Sequence, residues 1–345
     1  MLTRAAPSVS TLYADALGAF LAEQGLPRDA GAAPPGPRLC GSAFAGLMTG
    51  GARELGDPAL GLRFGTRVGA AGFGMLGIAA ASAPTLRDAI GHLTELESIT
   101  STLGRARVLR RGQRVHLVWQ PAQTVAPAVI EGILAGWVSF GRYLLGGQAE
   151  VAHVSLRHSR IAQLAEYEDA FACPLRFGTC CYGVTIATEL LDATPRFADA
   201  RLNAALGTWL GHCARTSARD GAVVTRAVGA LFASSVPLAE ADEARTAAAL
   251  GLAPRALQRA LRREGASFRQ LLGAARAQQA LIGVLRGDAP LAQLGAAVGF
   301  EEQSSLCRAF RGWTGYPPLV FRQRMAQVFR PLRLAQEPSG AGPHA

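Results

Sequence analysis

One supersecondary pattern occurs twice in the C-terminal part of the chain, and it restricts what that part can fold into more than any other feature. The first copy is Glu243 to Glu264, EARTAAALGLAPRALQRALRRE. Thr246–Leu250 reads as a short Ala-rich helix stopped by Gly251, a residue suited to the left-handed position after a helix end. Pro254 then falls in the first turn of the next helix, where its missing N–H is harmless. Leu250, Leu257 and Leu261 share the inner face, while Arg255, Gln258, Arg259 and Arg262 lie opposite at helical spacing. The second copy is Pro290 to Trp313, PLAQLGAAVGFEEQSSLCRAFRGW. Leu291, Leu294 and Val298 make its first helix, Gly299 ends it and Phe300 packs in the turn. The second helix is expected to bury Leu306, Phe310 and Trp313, and to expose Gln303, Ser304, Ser305, Arg308 and Arg311. Two helices joined by a short Gly-containing turn form a helix-turn-helix. A near-repeat of that unit is more specific than either copy.

The segment between the copies fits paired use. Ser267 reads as the N-cap and Gly287 as the stop of a helix from Phe268 to Arg286. That length at about 1.5 Å per residue spans roughly 28 Å. Successive major-groove faces on one side of B-DNA are about 34 Å apart. Second helices joined by such a rod can reach adjacent major grooves of modestly bent duplex.

Charge points the same way. The formal net charge is +10. Residues 1–220 hold 20 Arg against 17 acidic residues, and residues 221–345 hold 15 Arg against 8. Between Arg255 and Arg333, 13 Arg face only Glu264, Asp288, Glu301 and Glu302. Such asymmetry implies a polyanionic partner, nucleic acid before anionic membrane. A charged helix face is ordinarily just solvated. Two copies, a basic bias and hydrogen-bonding residues on both second helices outweigh that reading. The chain has no Lys, which matches a GC-rich coding sequence, so Arg usage alone carries no weight.

The first 200 residues differ in kind. Helices are expected at Thr11–Gln24, Ser42–Leu55, Thr85–Ser98, Val129–Leu145 and Ile161–Ala170. Strands are expected at Arg107–Arg111 and Arg114–Trp119, joined through Gly112–Gln113 as a type II′ hairpin, and at Val151–Leu156 and Tyr182–Ala187. Val115, Leu117 and Trp119 alternate, so one face of that hairpin is buried. Gly65–Gly77 is Gly-rich but lacks the spacing of a phosphate-binding loop. The expected fold is an α+β N-terminal domain followed by an all-α C-terminal domain with two helix-turn-helix units.

Catalytic and metal patterns are missing from the sequence. The six His (His92, His116, His153, His158, His212, His344) include no H-E-x-x-H, and no Ser lies in G-x-S-x-G. Cys40, Cys173, Cys180, Cys181, Cys213 and Cys307 include no C-x-x-C pair. Cys173, Cys180 and Cys181 with His153 and His158 fit no structural zinc spacing, so reduced, packed thiols are the simpler reading. No enzyme activity, metal or cofactor is expected. With no uninterrupted apolar run of membrane-spanning length and no signal-peptide pattern, a cytoplasmic protein is expected, with no membrane partner.

LGLAPRALQRALRREGASF followed by PLAQLGAAVGFEEQSSLCRAFRGWTGYPPLVFR resembles the DNA-binding domain of the bacterial AraC/XylS transcription regulators, over Thr246 to Arg324 without a gap. Carried over by position, the resemblance implies base contacts from Arg255, Gln258 and Arg259 in the first unit, and from Gln303, Ser304, Ser305 and Arg308 in the second. Arg262, Arg263 and Arg311 are then expected on phosphates. The chain departs from the family at Ala253, where an N-cap Ser is common, at Thr246, where an aliphatic is common, and at Leu306, where an aromatic is common. GDPALGLRFG, GFGMLGIAAASAPTLRDAI and CPLRFG resemble the arabinose-binding-type N-terminal domain of one subgroup. That resemblance implies a small-molecule effector, not arabinose itself, and a homodimer. The expected organisation is an effector-sensing and dimerisation domain over 1–215, a linker over 216–235, a DNA-binding domain over 236–333 and a disordered tail over 334–345. Double-stranded DNA is the expected partner, with RNA polymerase as a further one. The alternatives are an effector-independent dimeric DNA-binding protein and a thiol-based redox regulator.

Overall fold

The computed structural model describes residues 7–26, 38–147, 149–207, 228–229, 237–287 and 289–328. The expected linker lies outside these residues except for 228–229, and the expected tail lies wholly outside them.

A small antiparallel pair, β1 (Ser8–Ser10) and β2 (Arg38–Cys40), starts the N-terminal part. Ser10 caps α1 (Thr11–Glu23) by accepting the Tyr13 N–H at 3.3 Å. Then come α2 (Gly41–Glu54), α3 (Leu60–Arg67), α4 (Gly69–Phe73) and α5 (Met75–Ser82). Thr85 caps α6 (Leu86–Glu95), and α7 (Glu97–Thr100) follows. The expected hairpin is β3 (Gly104–Arg111) and β4 (Arg114–Pro121). Gly112 takes φ +55° at the first turn position while Gln113 keeps a negative φ, as a type II′ turn requires. Val115 and Trp119 are buried on the alternating face.

The remaining N-terminal elements are α8 (Pro127–Leu144), β5 (Val151–Ser155), α9 (Leu164–Phe171), β6 (Leu175–Arg176) and β7 (Tyr182–Ala187). The five strands form one sheet in the order β3-β4-β7-β5-β6, antiparallel except for β5 beside β6. A helical stretch at 200–207, α10, follows.

Two details depart from expectation. The Gly-rich stretch 65–77, for which no element was expected, falls in α3, α4 and α5. A Cβ at Gly61 would overlap the Ala128 carbonyl, and one at Gly65 would overlap the Gly132 carbonyl, so α3 crosses α8 with backbones in contact. Helix α9 begins at Leu164 and not at Ile161. The Ile161 N–H donates to the Tyr167 hydroxyl at 3.0 Å, which holds the preceding residues in a loop.

The C-terminal part is helical throughout: α11 (Glu243–Ala249), α12 (Pro254–Arg263), α13 (Phe268–Arg286), α14 (Leu291–Ala297), α15 (Gln303–Thr314) and α16 (Pro318–Val328). Among the described residues, buried apolar side chains fall into two clusters. One joins the N-terminal part to the second unit through Leu281, Leu306, Phe310 and Phe321. The other, with Leu238, Ala247, Leu257 and Leu261, belongs to the first unit. No helix among the described residues is long and apolar enough to cross a membrane.

Candidate nucleic-acid interface

In the first unit Asp242 caps α11, accepting the Arg245 N–H at 2.7 Å. Gly251 turns the chain with φ +67°, and Leu257 and Leu261 anchor α12. Thr246 is buried where the family favours an aliphatic, but its hydroxyl donates to the Asp242 carbonyl at 2.8 Å, so the site is satisfied. Ala253 occupies the N-cap of α12 with no side-chain hydrogen bond, a loss of about 1 kcal/mol against Ser. Arg255, Gln258, Arg259, Arg262 and Arg263 are all exposed. Gln258 is not idle: its Nε2 donates to Glu243 Oε2 at 3.0 Å.

The rod α13 starts with a capping box, in which Ser267 and Gln270 satisfy each other's backbone N–H groups. It ends where expected, at Gly287 with φ +68°. Midway, Arg276 donates through Nη2 to the Leu238 carbonyl at 3.2 Å and lies 5.8 Å from the Phe300 ring centroid. Leu238 belongs to the first unit and Phe300 to the turn of the second, so one side chain contacts both.

In the second unit Gly299 takes φ +85°, and Phe300 packs edge-on against Trp313 at 6.1 Å. Leu306 and Phe310 are fully buried, and Trp313 is half-buried. Gln303, Ser304, Arg308 and Arg311 are exposed, whereas Ser305 is half-buried. Ser304 Oγ donates to Glu302 Oε2 at 2.9 Å. The sequence-derived positions therefore form two exposed polar faces, each on the second helix of its unit.

The second unit is also tied to the N-terminal part by contacts that no local pattern announces. Asp199 Oδ2 accepts from the Tyr316 hydroxyl at 2.8 Å and from Arg324 Nη1 at 3.0 Å. Arg324 and Arg201 flank the Tyr316 ring at 4.5 and 5.0 Å. Asp199 is itself held against α5, its N–H donating to the Ser82 carbonyl at 3.0 Å, and Asn203 Nδ2 reaches the Ala79 carbonyl at 3.1 Å. Arg286 at the end of the rod pairs with Asp15 at 3.1 Å.

The N-terminal part contains a cavity of about 90 Å³. Leu76 of α5, Leu86 and Ile90 of α6, and Trp137 and Phe140 of α8 line it, with Glu97 as the single carboxylate among the described residues. Glu97 Oε2 accepts the Ala106 N–H at 2.6 Å and Oε1 accepts Trp119 Nε1–H at 3.1 Å. Burial outweighs these bonds and pushes the carboxyl up to about 7.

His158 pairs with buried Glu131 at 3.1 Å, and His153 with Thr185 at 3.1 Å; among the described residues no three His, Cys, Asp or Glu gather as a metal site. Burial pushes the Cys173 and Cys181 thiols up, which makes them poorer nucleophiles.

Residues 16–195 match the family model described as the arabinose-binding domain of AraC transcription regulator, N-terminal, and residues 246–324 match a helix-turn-helix domain. The chain is 28% identical over 285 residues to the HTH-type transcriptional regulator VirS of Mycobacterium tuberculosis, spanning 81% of this chain and 83% of that one. It is 26% identical over 336 residues to the ornithine utilization regulator of Pseudomonas aeruginosa, spanning 91% of this chain and 96% of the relative. The crystal structure of transcriptional regulator CdpR from Pseudomonas aeruginosa aligns with a TM-score of 0.46 at 22% identity, covering 90% of this chain and 97% of that one.

Proposed function

The chain belongs to the AraC family of DNA-binding transcription regulators, and from that premise we propose that it reads two adjacent major grooves with α12 and α15 under control of a small molecule held in its N-terminal domain. The observation that carries the reading is the pair of exposed polar faces on helices joined by one capped rod. On this reading Arg255, Gln258 and Arg259 contact bases in one groove, and Gln303, Ser304, Ser305 and Arg308 in the next. Arg makes bidentate contacts to guanine and Gln to adenine. Arg262, Arg263 and Arg311 hold phosphates and fix register without reading sequence. Gln258 must leave Glu243 to reach a base, and Ser305 reaches only an edge close to the helix.

Control by a small molecule is supported by what surrounds the cavity. Leu76 and Ile90 in its wall belong to α5 and α6, and α5 also holds Asp199 and Asn203. Through Tyr316 and Arg324 the same segment holds the second unit. A ligand that shifts these helices alters the seat of the second unit, provided it binds the two arrangements unequally. The active form is a homodimer that works in the cytoplasm.

The test is DNA binding by the full-length chain at a stated salt concentration. Arg308→Ala is expected to weaken a selected site by about 1–3 kcal/mol and to relax specificity at its base pair. Unchanged affinity would remove α15 from the interface.

A further inference from the structure

We propose that the N-terminal cavity takes a small organic cation, a primary ammonium on a hydrocarbon body of a few carbons, with its charge seated on Glu97. This rests on the reading of the N-terminal domain as a sensor and names the class of molecule it senses.

Three observations select that class. The first is the wall, which is hydrocarbon and aromatic over most of its extent and includes Phe73, Leu93, Trp137 and Phe140. A sugar would bring several hydroxyls into such a wall with few partners, and each unpaired polar group is costly. The second is charge. Among the described residues no Arg or His lines the cavity, and Glu97 is the only carboxylate that does. An anionic ligand would set a second negative charge beside Glu97, and Arg105, which acts on Glu97 from outside the cavity wall, cannot neutralise both. A cation instead supplies the counter-charge that burial denies this carboxylate, and aromatic faces around it add cation–π attraction.

The third observation is that Glu97 is positioned but not saturated. Each oxygen accepts one hydrogen bond, from Ala106 N–H and from Trp119 Nε1–H, which fixes the carboxylate and leaves further lone pairs open. Tyr13 also lines the cavity, and its hydroxyl oxygen can act as a second acceptor. Size narrows the body. A cavity of about 150 Å³ holds benzene, so one of about 90 Å³ takes a body of roughly three or four carbons before side chains move.

The experiment compares n-butylamine, butan-1-ol and butyrate by calorimetry and thermal shift on the full-length protein, with and without operator DNA. The amine is expected to bind at least about tenfold more tightly than the alcohol, a gap of about 1.4 kcal/mol, and butyrate not at all. Because burial holds the carboxyl up at about 7, amine affinity should climb as the pH rises through that value. Glu97→Gln should abolish the preference for amine over alcohol. Since Gln cannot reproduce both accepting oxygens and could disturb the fold, Ile133→Trp provides a second variant. It fills the cavity, leaves the carboxylate's hydrogen bonds intact and should abolish amine binding.

Equal binding of alcohol or acid, an unchanged preference in Glu97→Gln, or unchanged amine binding in Ile133→Trp would each overturn the proposal. If only a molecule of another charge class bound and altered DNA affinity, the cation assignment would fall and the sensor reading would stand. If no molecule in a broad metabolite panel did either, both would fall.

Discussion

The two helix-turn-helix units share a pattern but not a foundation. The first keeps its apolar side chains to itself, with Leu238, Ala247, Leu257 and Leu261 in a small separate core. The second shares one continuous core with the N-terminal domain, and Tyr316 and Arg324 add polar ties to Asp199. A change in the N-terminal domain therefore has a direct physical route to the second unit. It reaches the first unit mainly along the rod and through Arg276.

The largest effect expected from this difference comes from cutting each core. Phe310→Ala should cost about 3–5 kcal/mol, and Leu257→Ala about 2–5 kcal/mol. Hydrogen exchange distinguishes them. Phe310→Ala should lower protection in both the second unit and the N-terminal helices, and Leu257→Ala only in the first unit. Equal spread of both would break the comparison.

Arg276→Ala should come next. It removes a side chain that touches Leu238 and Phe300 together. Binding to a two-part site should fall about tenfold while binding to each isolated half-site changes little, as measured by titration of labelled duplexes. Asp199→Ala should cost about 2 kcal/mol by denaturant unfolding, through the Tyr316 hydrogen bond and the N-cap that Asp199 Oδ1 provides by accepting the Leu202 N–H at 3.0 Å. The Arg324 pair adds little because its guanidinium is half-exposed. The same variant should weaken the coupling between cavity ligand and DNA.

The remaining expected effect is a pH dependence. Glu97 has a folded-state value raised to about 7, so its contribution to stability is full below the ordinary carboxylate range. That contribution is lost as pH rises to about 7. Thermal unfolding followed across that window should show the decline in the second unit and N-terminal domain but not in the first unit. Glu97→Gln should flatten it.

The helical half of the molecule was legible because its signals are local. Gly251, Pro254, Ser267, Gly287 and Gly299 stop and start helices by their own backbone chemistry, and the structure keeps each in that role. The Arg and Gln faces followed from spacing alone. In the N-terminal domain the hairpin and β7 were legible for the same reason. The helices across 60–82 were not, because Gly61 and Gly65 are poor helix formers kept there by contact with α8, a tertiary demand that overrides propensity. Strand β6 has two residues and no pattern to read. Glu97, Asp199, Tyr316 and Arg276 carried no sequence signal, since each matters through a partner far away in the chain.

The central claim, that α12 and α15 read two grooves as one rigid pair, is tested most directly by spacing. Selected operator DNA is compared with the same duplex carrying half a helical turn, about five base pairs, between the two contacted segments. The account predicts that the inserted spacer lowers full-length binding to the level of a single half-site. Undiminished affinity across the spacer would contradict it.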